Sequence, residues 1–426
     1  MSFFPARSLH AAPIAFFFFF TSVTAQPLEP VLAQARAQKG PLLDTLKELV
    51  SIESGSRDLE GLERIAQLIA GRLKSLGGEV ELVEPADLYR MDDTPERVGR
   101  MVRATFKGKG AKRILLIAHM DTVYPRGLLA KQPFRVDGER AFGLGIADDK
   151  QGIAVILHTV AMLRTLEFRD YGTLTVLVNA DEELSSPGSR SLLTRLGAEH
   201  DATLSFEGSR VESDKIALAT AGIASVALKV QGKASHAGAA PERGVNALYE
   251  LSHQILQTRD LSNPATGLKM NWTVSRAGMS RNVIPPAAEA MADVRVLRVA
   301  DYDGIEQAVR ERIKKQLVPE AKVEMIFERR RPPLEASPAS AAMAKHAQAV
   351  YRELGKDLVA DAVAEGGGTD AAFAALKTKN AVVERFGLRG FGAHSTDDEY
   401  VLVSSIEPRL YLAARLVMDI ARDRIR

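Results

Sequence analysis

Apolar residues recur at helical spacing from Val31 to Ile52 and again from Leu59 to Leu76, where Ile65, Leu68, Ile69 and Leu76 fall on one face. The pattern predicts two amphipathic helices. Short apolar runs follow at Arg113–Ala118, Leu174–Asn179, Ala202–Phe206 and Ala381–Arg385, with helical patterns such as Gly152–Leu166 between them. Runs of this length without polar alternation read as strands buried on both faces. Strands alternating with helices predict an α/β layered domain with a mainly parallel sheet.

Between about Ala221 and Arg331 the rhythm changes. It reads strand (Ala224–Gln231), helix (Val245–Thr258), two strands (Lys269–Ala277 and Ala287–Arg295), helix (Tyr302–Leu317) and strand (Lys322–Glu328). This βαββαβ order is the split pattern of a ferredoxin-like α+β module. Alternation resumes near Ser337. The simplest organisation is therefore a small domain over residues 221–331 inserted into a larger one formed by residues 26–220 and 332–426. Pro332-Pro333 marks the return crossing, because tandem prolines disfavour helix.

Residues 1–25 differ from both. Arg7 and His10 precede an apolar run from Ala11 to Phe20, and Val23-Thr24-Ala25 supplies small residues before Gln26. The run reads as a secretory signal peptide, too short to cross about 30 Å of hydrocarbon. It places the mature chain in the periplasm or outside the cell, with no membrane association after cleavage.

Composition narrows the function classes. The chain has 426 residues, 46% hydrophobic and 26% charged, which suits two or three packed domains. Fifty-six Lys and Arg against 54 Asp and Glu leave a formal +2, so no broad basic field exists to hold nucleic acid. The absence of cysteine excludes disulfides, thiolate ligands and a cysteine nucleophile. Histidines and carboxylates remain.

These residues recur at strand ends. Ile114-Leu-Leu-Ile-Ala runs into His119, with Asp121 two positions later, and the strand from Leu174 leads to Asp181-Glu182-Glu183. Leu204-Ser-Phe leads to Glu207, and Gly143-Leu-Gly-Ile-Ala-Asp148-Asp149 opens a helical run. Ligand sites in open α/β sheets gather beyond the carboxyl ends of strands, so these groups converge on one edge. Close carboxylates repel unless protonated or bridged by a cation, which makes a divalent metal the economical answer. His394, in a glycine-flanked loop, completes a mixed imidazole and carboxylate set suited to zinc. His158, His200, His253 and His346 lie on helical patterns and read as structural.

The ordered motifs HMDTVY, GIADDK, DEE, SFE, GKASHAGAAPE, GVNAL, NVIP, ADVR, GGGTDAA and AHS span nearly the whole mature chain. Through them the sequence resembles the zinc-dependent aminoacylase and carboxypeptidase superfamily of metallopeptidases, nearest the folate-cleaving, glutamate-releasing carboxypeptidase G type. The resemblance implies a zinc exopeptidase-like catalytic domain and two Zn2+ per chain, with Co2+ or Mn2+ as possible substitutes. Asp148 would bridge the two ions; His119 and Glu207 would complete one site, Glu183 and His394 the other. Glu182 would be the general base and Asp121 the residue that orients His119. A cis peptide between Asp148 and Asp149 is also implied. His236 resembles a histidine that stabilises the oxyanion in a neighbouring subunit's site, which implies a homodimer formed through the inserted domain. Asn282, Arg295 and Arg331 resemble substrate-facing positions, with Arg331 suited to a terminal carboxylate through its planar fork. Gly367 and Thr369 would add donors to the same carboxylate. Lys215 stands where the folate-cleaving relative selects a glutamate side chain, although Ala217 and Gly208 depart from that relative's serine and proline.

The expected activity is metal-assisted amide hydrolysis that releases a C-terminal amino acid, glutamate favoured, from a peptide, folate-like or N-acyl substrate with a free carboxylate. An N-acyl-amino-acid deacylase would use the same chemistry. A periplasmic solute-binding protein is the non-catalytic alternative, but it has no need of Glu182-Glu183 beside His119, Asp148 and Glu207.

Overall fold

The computed structural model describes Met1, residues 26–395 and residues 397–425. The expected signal peptide thus lies, apart from Met1, outside the described residues. The first helical pattern is divided into helices Glu29–Ala37 and Lys39–Val50, with the break at Gln38. Pro41 explains the division. In a continuous helix its ring would meet the carbonyl of Ala37, and it has no N–H to donate. The second pattern forms one helix, Leu59–Ser75, capped by the Asp58 carboxylate, which accepts from the Gly61 N–H at 3.0 Å.

Six strands form the main sheet, in the order Glu79–Val83, Met101–Lys107, Thr173–Asn179, Arg113–His119, Ala202–Ser205 and Ala381–Val383. The last four run parallel, and the first two form an antiparallel edge. Successive side chains alternate between two cores. Ile114, Leu116, Leu174, Val176 and Val178 face the helices Glu29–Ala37, Lys39–Val50, Gln151–Thr165 and Ile406–Ala421, whereas Leu115, Ile117 and Leu177 face Arg190–Glu199 and Ala371–Ala375. Both faces are covered, as continuous apolar runs require.

Residues 222–331 carry a second, four-stranded sheet in the order Lys269–Ala277, Ala287–Val296, Gly222–Gln231, Lys322–Arg331, with every pair antiparallel. Its strands alternate buried and accessible positions, and one face packs on helices Ala247–Thr258 and Asp301–Arg312 in a core of its own. The helix expected over Tyr302–Leu317 stops at Arg312. Pro319 disfavours helix at the residue before it, and the buried Glu250 carboxylate accepts the N–H groups of Leu317 and Val318 at 2.8 and 2.7 Å. Among the described residues no helix is long and apolar enough to cross a membrane.

Candidate metal centre

Register in the main sheet decides where the acidic groups meet. His119 pairs with Asn179, and Ile117 with Ser205, so the three strands end at one level. His119, Asp181–Glu183 and Glu207 therefore emerge along a single carboxyl edge. Asp148 arrives on the loop before helix Gln151–Thr165, which turns at left-handed Gly145 (φ 68°) and carries a cis bond between Asp148 and Asp149. His394 reaches the same edge from the segment after Gly392 (φ 79°).

Two ligand sets result, and they share one residue. Asp148 Oδ1 lies 3.0 Å from His119 Nε2, which is 3.5 Å from Glu207 Oε1. The other oxygen of Asp148 lies 3.2 Å from His394 Nε2, itself 3.2 Å from Glu183 Oε2. Within each set the ligand atoms all lie within 4.8 Å of one another. Burial, reinforced by the charge of Asp148, pushes the carboxyls of Glu183 and Glu207 up to about 7. Burial also opposes the charge of Asp148, but bonds from both imidazoles hold its carboxyl below the usual range. Bonds to Asp148 and Glu183 push His394 up to about 11. Glu183 Oε1 is buried without a partner among the described residues. Crowded carboxylates, imidazoles and an orphaned oxygen fit a pair of divalent cations, because such a donor set is otherwise costly to bury.

Supporting residues fix these ligands. Asp121 Oδ1 lies 3.3 Å from His119 Nδ1, and the carboxylate also accepts the N–H groups of Glu182 and Glu183, both at 3.1 Å, and the Ser56 hydroxyl at 2.8 Å. One carboxylate thus orients a ligand from one strand and the loop of another. Glu399, which sequence reasoning passed over, does the same for Asp148. It accepts the N–H groups of Gly145, Ala147 and Asp148 at 2.9, 2.8 and 3.2 Å, and the Tyr124 hydroxyl at 2.6 Å. Burial pushes its carboxyl up to about 7. In the sequence it ends an acidic run, Asp397-Asp398-Glu399, that resembles a solvated loop.

Glu182 belongs to neither ligand set and pairs instead with Arg331, Oε1 to Nη1 at 2.7 Å. Arg331 is only 3% exposed, and it also donates to the Glu182 carbonyl and to Asp370. It is therefore held by protein groups rather than open to solvent. Lys215 is similarly engaged, its Nζ lying 2.9 Å from both Asp361 and Glu365. His236 and Asn282 are exposed and neighbouring, since His236 bridges to Val283 and the Asn282 carbonyl accepts from Ala237. The His236 Nδ1 accepts two backbone N–H groups at 3.1 Å, which leaves Nε2 as the protonated nitrogen. Arg295 pairs with Asp293 and donates to the Gly366 carbonyl at 2.9 Å.

Gly367 and Thr369 line a cleft of about 420 Å3 together with Asp148 and Glu207. The same wall carries Arg210 and Arg385, which sequence reasoning missed. Their signal was positional: Arg210 follows Glu207 by three residues, and Arg385 closely follows strand Ala381–Val383 at the edge that holds the ligands. A larger cavity of about 720 Å3, between Tyr89, Arg190, Tyr302 and Phe373, shares no residue with either ligand set. Four other histidines are engaged structurally: His158 with Thr45 and Gln38, His200 with Thr175, His253 with the Lys315 carbonyl and His346 with Asp419.

Comparison with known proteins agrees with this geometry. Residues 115–419 match the sequence profile described as Peptidase family M20/M25/M40. The chain is 45% identical over 415 residues to Carboxypeptidase G2 of Pseudomonas sp. (strain RS-16), covering 97% of this chain and 98% of that protein. Two solved structures share the fold. A tripeptidase from Staphylococcus aureus aligns with a TM-score of 0.74 at 20% identity over 90% of this chain and 99% of its own. An M20 family metallo-carboxypeptidase from Sulfolobus solfataricus aligns with a TM-score of 0.70 at 15% identity over 89% and 99%.

Proposed function

The chain belongs to Peptidase family M20/M25/M40, and on that premise we propose that it is a di-zinc carboxypeptidase that releases a C-terminal amino acid, glutamate favoured, from peptide, folate-like or N-acyl substrates. The Asp148 carboxylate, shared between the His119–Glu207 and Glu183–His394 sets, carries this reading. Divalent metal bound by these residues would supply Lewis-acid polarisation of the scissile carbonyl and lower the pKa of a water.

The protein's own groups do the rest. Glu182, beside both ligand sets but in neither, takes the proton of the attacking water and delivers it to the leaving amine. Burial pushes its carboxyl up against the opposing charge of Arg331, which suits a group that must carry a proton for part of the cycle. Asp121 and Glu399 keep His119 and Asp148 in place. The exposed Nε2–H of His236 is a fixed donor of the kind that stabilises an oxyanion, and it would serve the site of a partner subunit. Arg295, Asn282, Gly367 and Thr369 are the groups we assign to substrate carboxylate binding, and Arg331 would join them only by giving up its bonds to Glu182 and Asp370.

Residues 221–331 are read as the dimerisation and lid unit set between residues 26–220 and 332–426. Support for a homodimer comes from strand Lys269–Ala277, which among the described residues is paired on one side alone, and from exposed Tyr249, Leu256 and Val274. Residues 1–25 are read as a signal peptide, which assigns the enzyme to the periplasm or the exterior.

The test is a hydrolysis panel of N-acyl amino acids varied at the released residue, with and without chelator. Chelator-sensitive release that is fastest for glutamate is expected. Release unaffected by chelator would overturn the mechanism, and equal rates for acidic and neutral residues would withdraw the glutamate preference.

A further inference from the structure

Behind the two arginines of the cleft sits a carboxylate that belongs to the protein. Glu365 immediately precedes the glycine run 366–368. Its Oε2 accepts from Arg210 through Nε at 3.1 Å and through Nη2, and from Arg385 Nη1 at 3.2 Å. Its Oε1 accepts from Lys215 Nζ at 2.9 Å, and the same ammonium bonds Asp361 at 2.9 Å. Three cations therefore meet at two carboxylates, with the Glu384 carboxylate beside Arg385 and Glu207 on the same cleft. Glu212, exposed on the same cleft, bonds none of the three among the described residues. Burial opposes the charge of Glu365, but bonds from Arg210 and Lys215 hold its carboxyl down to about 2. It is an anion at any working pH.

Glu365 is partly exposed, so its side chain can leave the cradle by rotating about its own bonds. The backbone of this segment is held, since the Ala221 N–H bonds the carbonyls of Glu365 and Gly367 and Arg295 bonds that of Gly366, so any movement belongs to the Glu365 side chain. Arg385, by contrast, holds a left-handed conformation (φ 72°), with its carbonyl bonded by the fully buried Arg409. Backbone strain fixed in this way is characteristic of functional positions.

The resemblance already assigns Lys215 to an acidic side chain of the released residue; we propose that Glu365, bonded by Lys215, Arg210 and Arg385, is an internal carboxylate that occupies this subsite and exchanges with the substrate's own. The inference rests on the carboxypeptidase reading above. Exchanging one carboxylate for another leaves the charge of the cradle unchanged, so an acidic ligand replaces the lost bonds in kind. A neutral side chain offers no such replacement. Return of Glu365 also helps the acidic product to leave. Glu365 is thus a specificity-determining residue that sets affinity for dicarboxylates.

The experiment is calorimetric titration of the zinc-loaded protein with glutarate, which has two carboxylates, and with butyrate, which has one. Removal of the competitor in Glu365→Gln is expected to tighten glutarate binding about 3- to 10-fold, as loss of partly exposed ion pairs implies, and to leave butyrate unchanged. Arg385→Gln should weaken glutarate binding by a similar factor. Weaker or unaltered glutarate binding in Glu365→Gln would overturn the proposal by making Glu365 a mere support for the cations. Glu365→Asp, which shortens the reach but keeps the charge, carries the same test if the glutamine variant does not fold. Absence of hydrolysis with the glutarate result intact would defeat the carboxypeptidase reading alone; hydrolysis with glutarate affinity unaltered would defeat the exchange alone.

Discussion

Glu182 and Arg331 are joined twice, carboxylate to Nη1 at 2.7 Å and backbone carbonyl to Nη2 at 2.5 Å. Arg331 ends strand Lys322–Arg331 of the four-stranded sheet, whereas Glu182 follows strand Thr173–Asn179 of the main sheet. The pair therefore couples the proposed general base to the second unit of the protein. Asp370 fixes the arginine, and is itself bonded by Asn179 and Ser186.

Because Glu182 lies outside both ligand sets, replacing it should separate chemistry from metal binding. Glu182→Gln is expected to retain both metals while kcat falls by about 10^2- to 10^4-fold, the usual worth of a positioned general base. Steady-state kinetics beside metal analysis checks this. A kcat within a few-fold of wild type would remove Glu182 from the mechanism.

Glu399 holds the loop of Asp148, the proposed shared ligand, so its loss should appear as weaker metal binding rather than as a changed substrate preference. Glu399→Ala leaves three N–H groups of the 145–148 loop without their acceptor. Metal affinity is expected to fall about 10- to 100-fold, as for other groups that orient ligands. Competition with a chromophoric chelator measures it, and unchanged affinity would reduce Glu399 to a packing role.

His158 gives the stability a dependence on acid that is separate from the active site. Burial, helped by the charge of Arg72, pushes its imidazole from 6.5 down to about 4. Because the folded value is depressed, the stabilisation is fully present above pH 6.5 and is lost as pH falls through 4. Its upper size is about 3 kcal/mol for a shift of this extent. Urea denaturation at pH 7 and pH 5 should show a drop for wild type that shrinks in His158→Gln. An equal drop in both proteins would assign the acid sensitivity to other groups.

Legibility of the fold followed physical pattern. Strands buried on both faces and the βαββαβ segment leave strong periodicities, and they appear within a few residues of their expected limits. The split at Gln38 follows from a single proline, Pro41, and the stretch after helix Asp301–Arg312 is bonded instead by the Glu250 carboxylate, neither of which a hydrophobic period registers. His119, Asp148, Glu183, Glu207 and His394 were marked by their places after strands or in glycine-flanked loops, and the structure brings them together. Glu399 and Glu365 were not marked. Each acts by accepting bonds from groups distant in the chain, and nothing in its local sequence separates it from a solvated acid.

Zinc-edge anomalous scattering from crystals of the metal-repleted protein tests the central claim most directly. The account predicts two peaks about 3.5–4 Å apart, the separation usual for paired-metal sites. One should be bound by His119 and Glu207, the other by Glu183 and His394, with Asp148 touching both. A single peak, or zinc held by any other residues while these five stand empty, would contradict it.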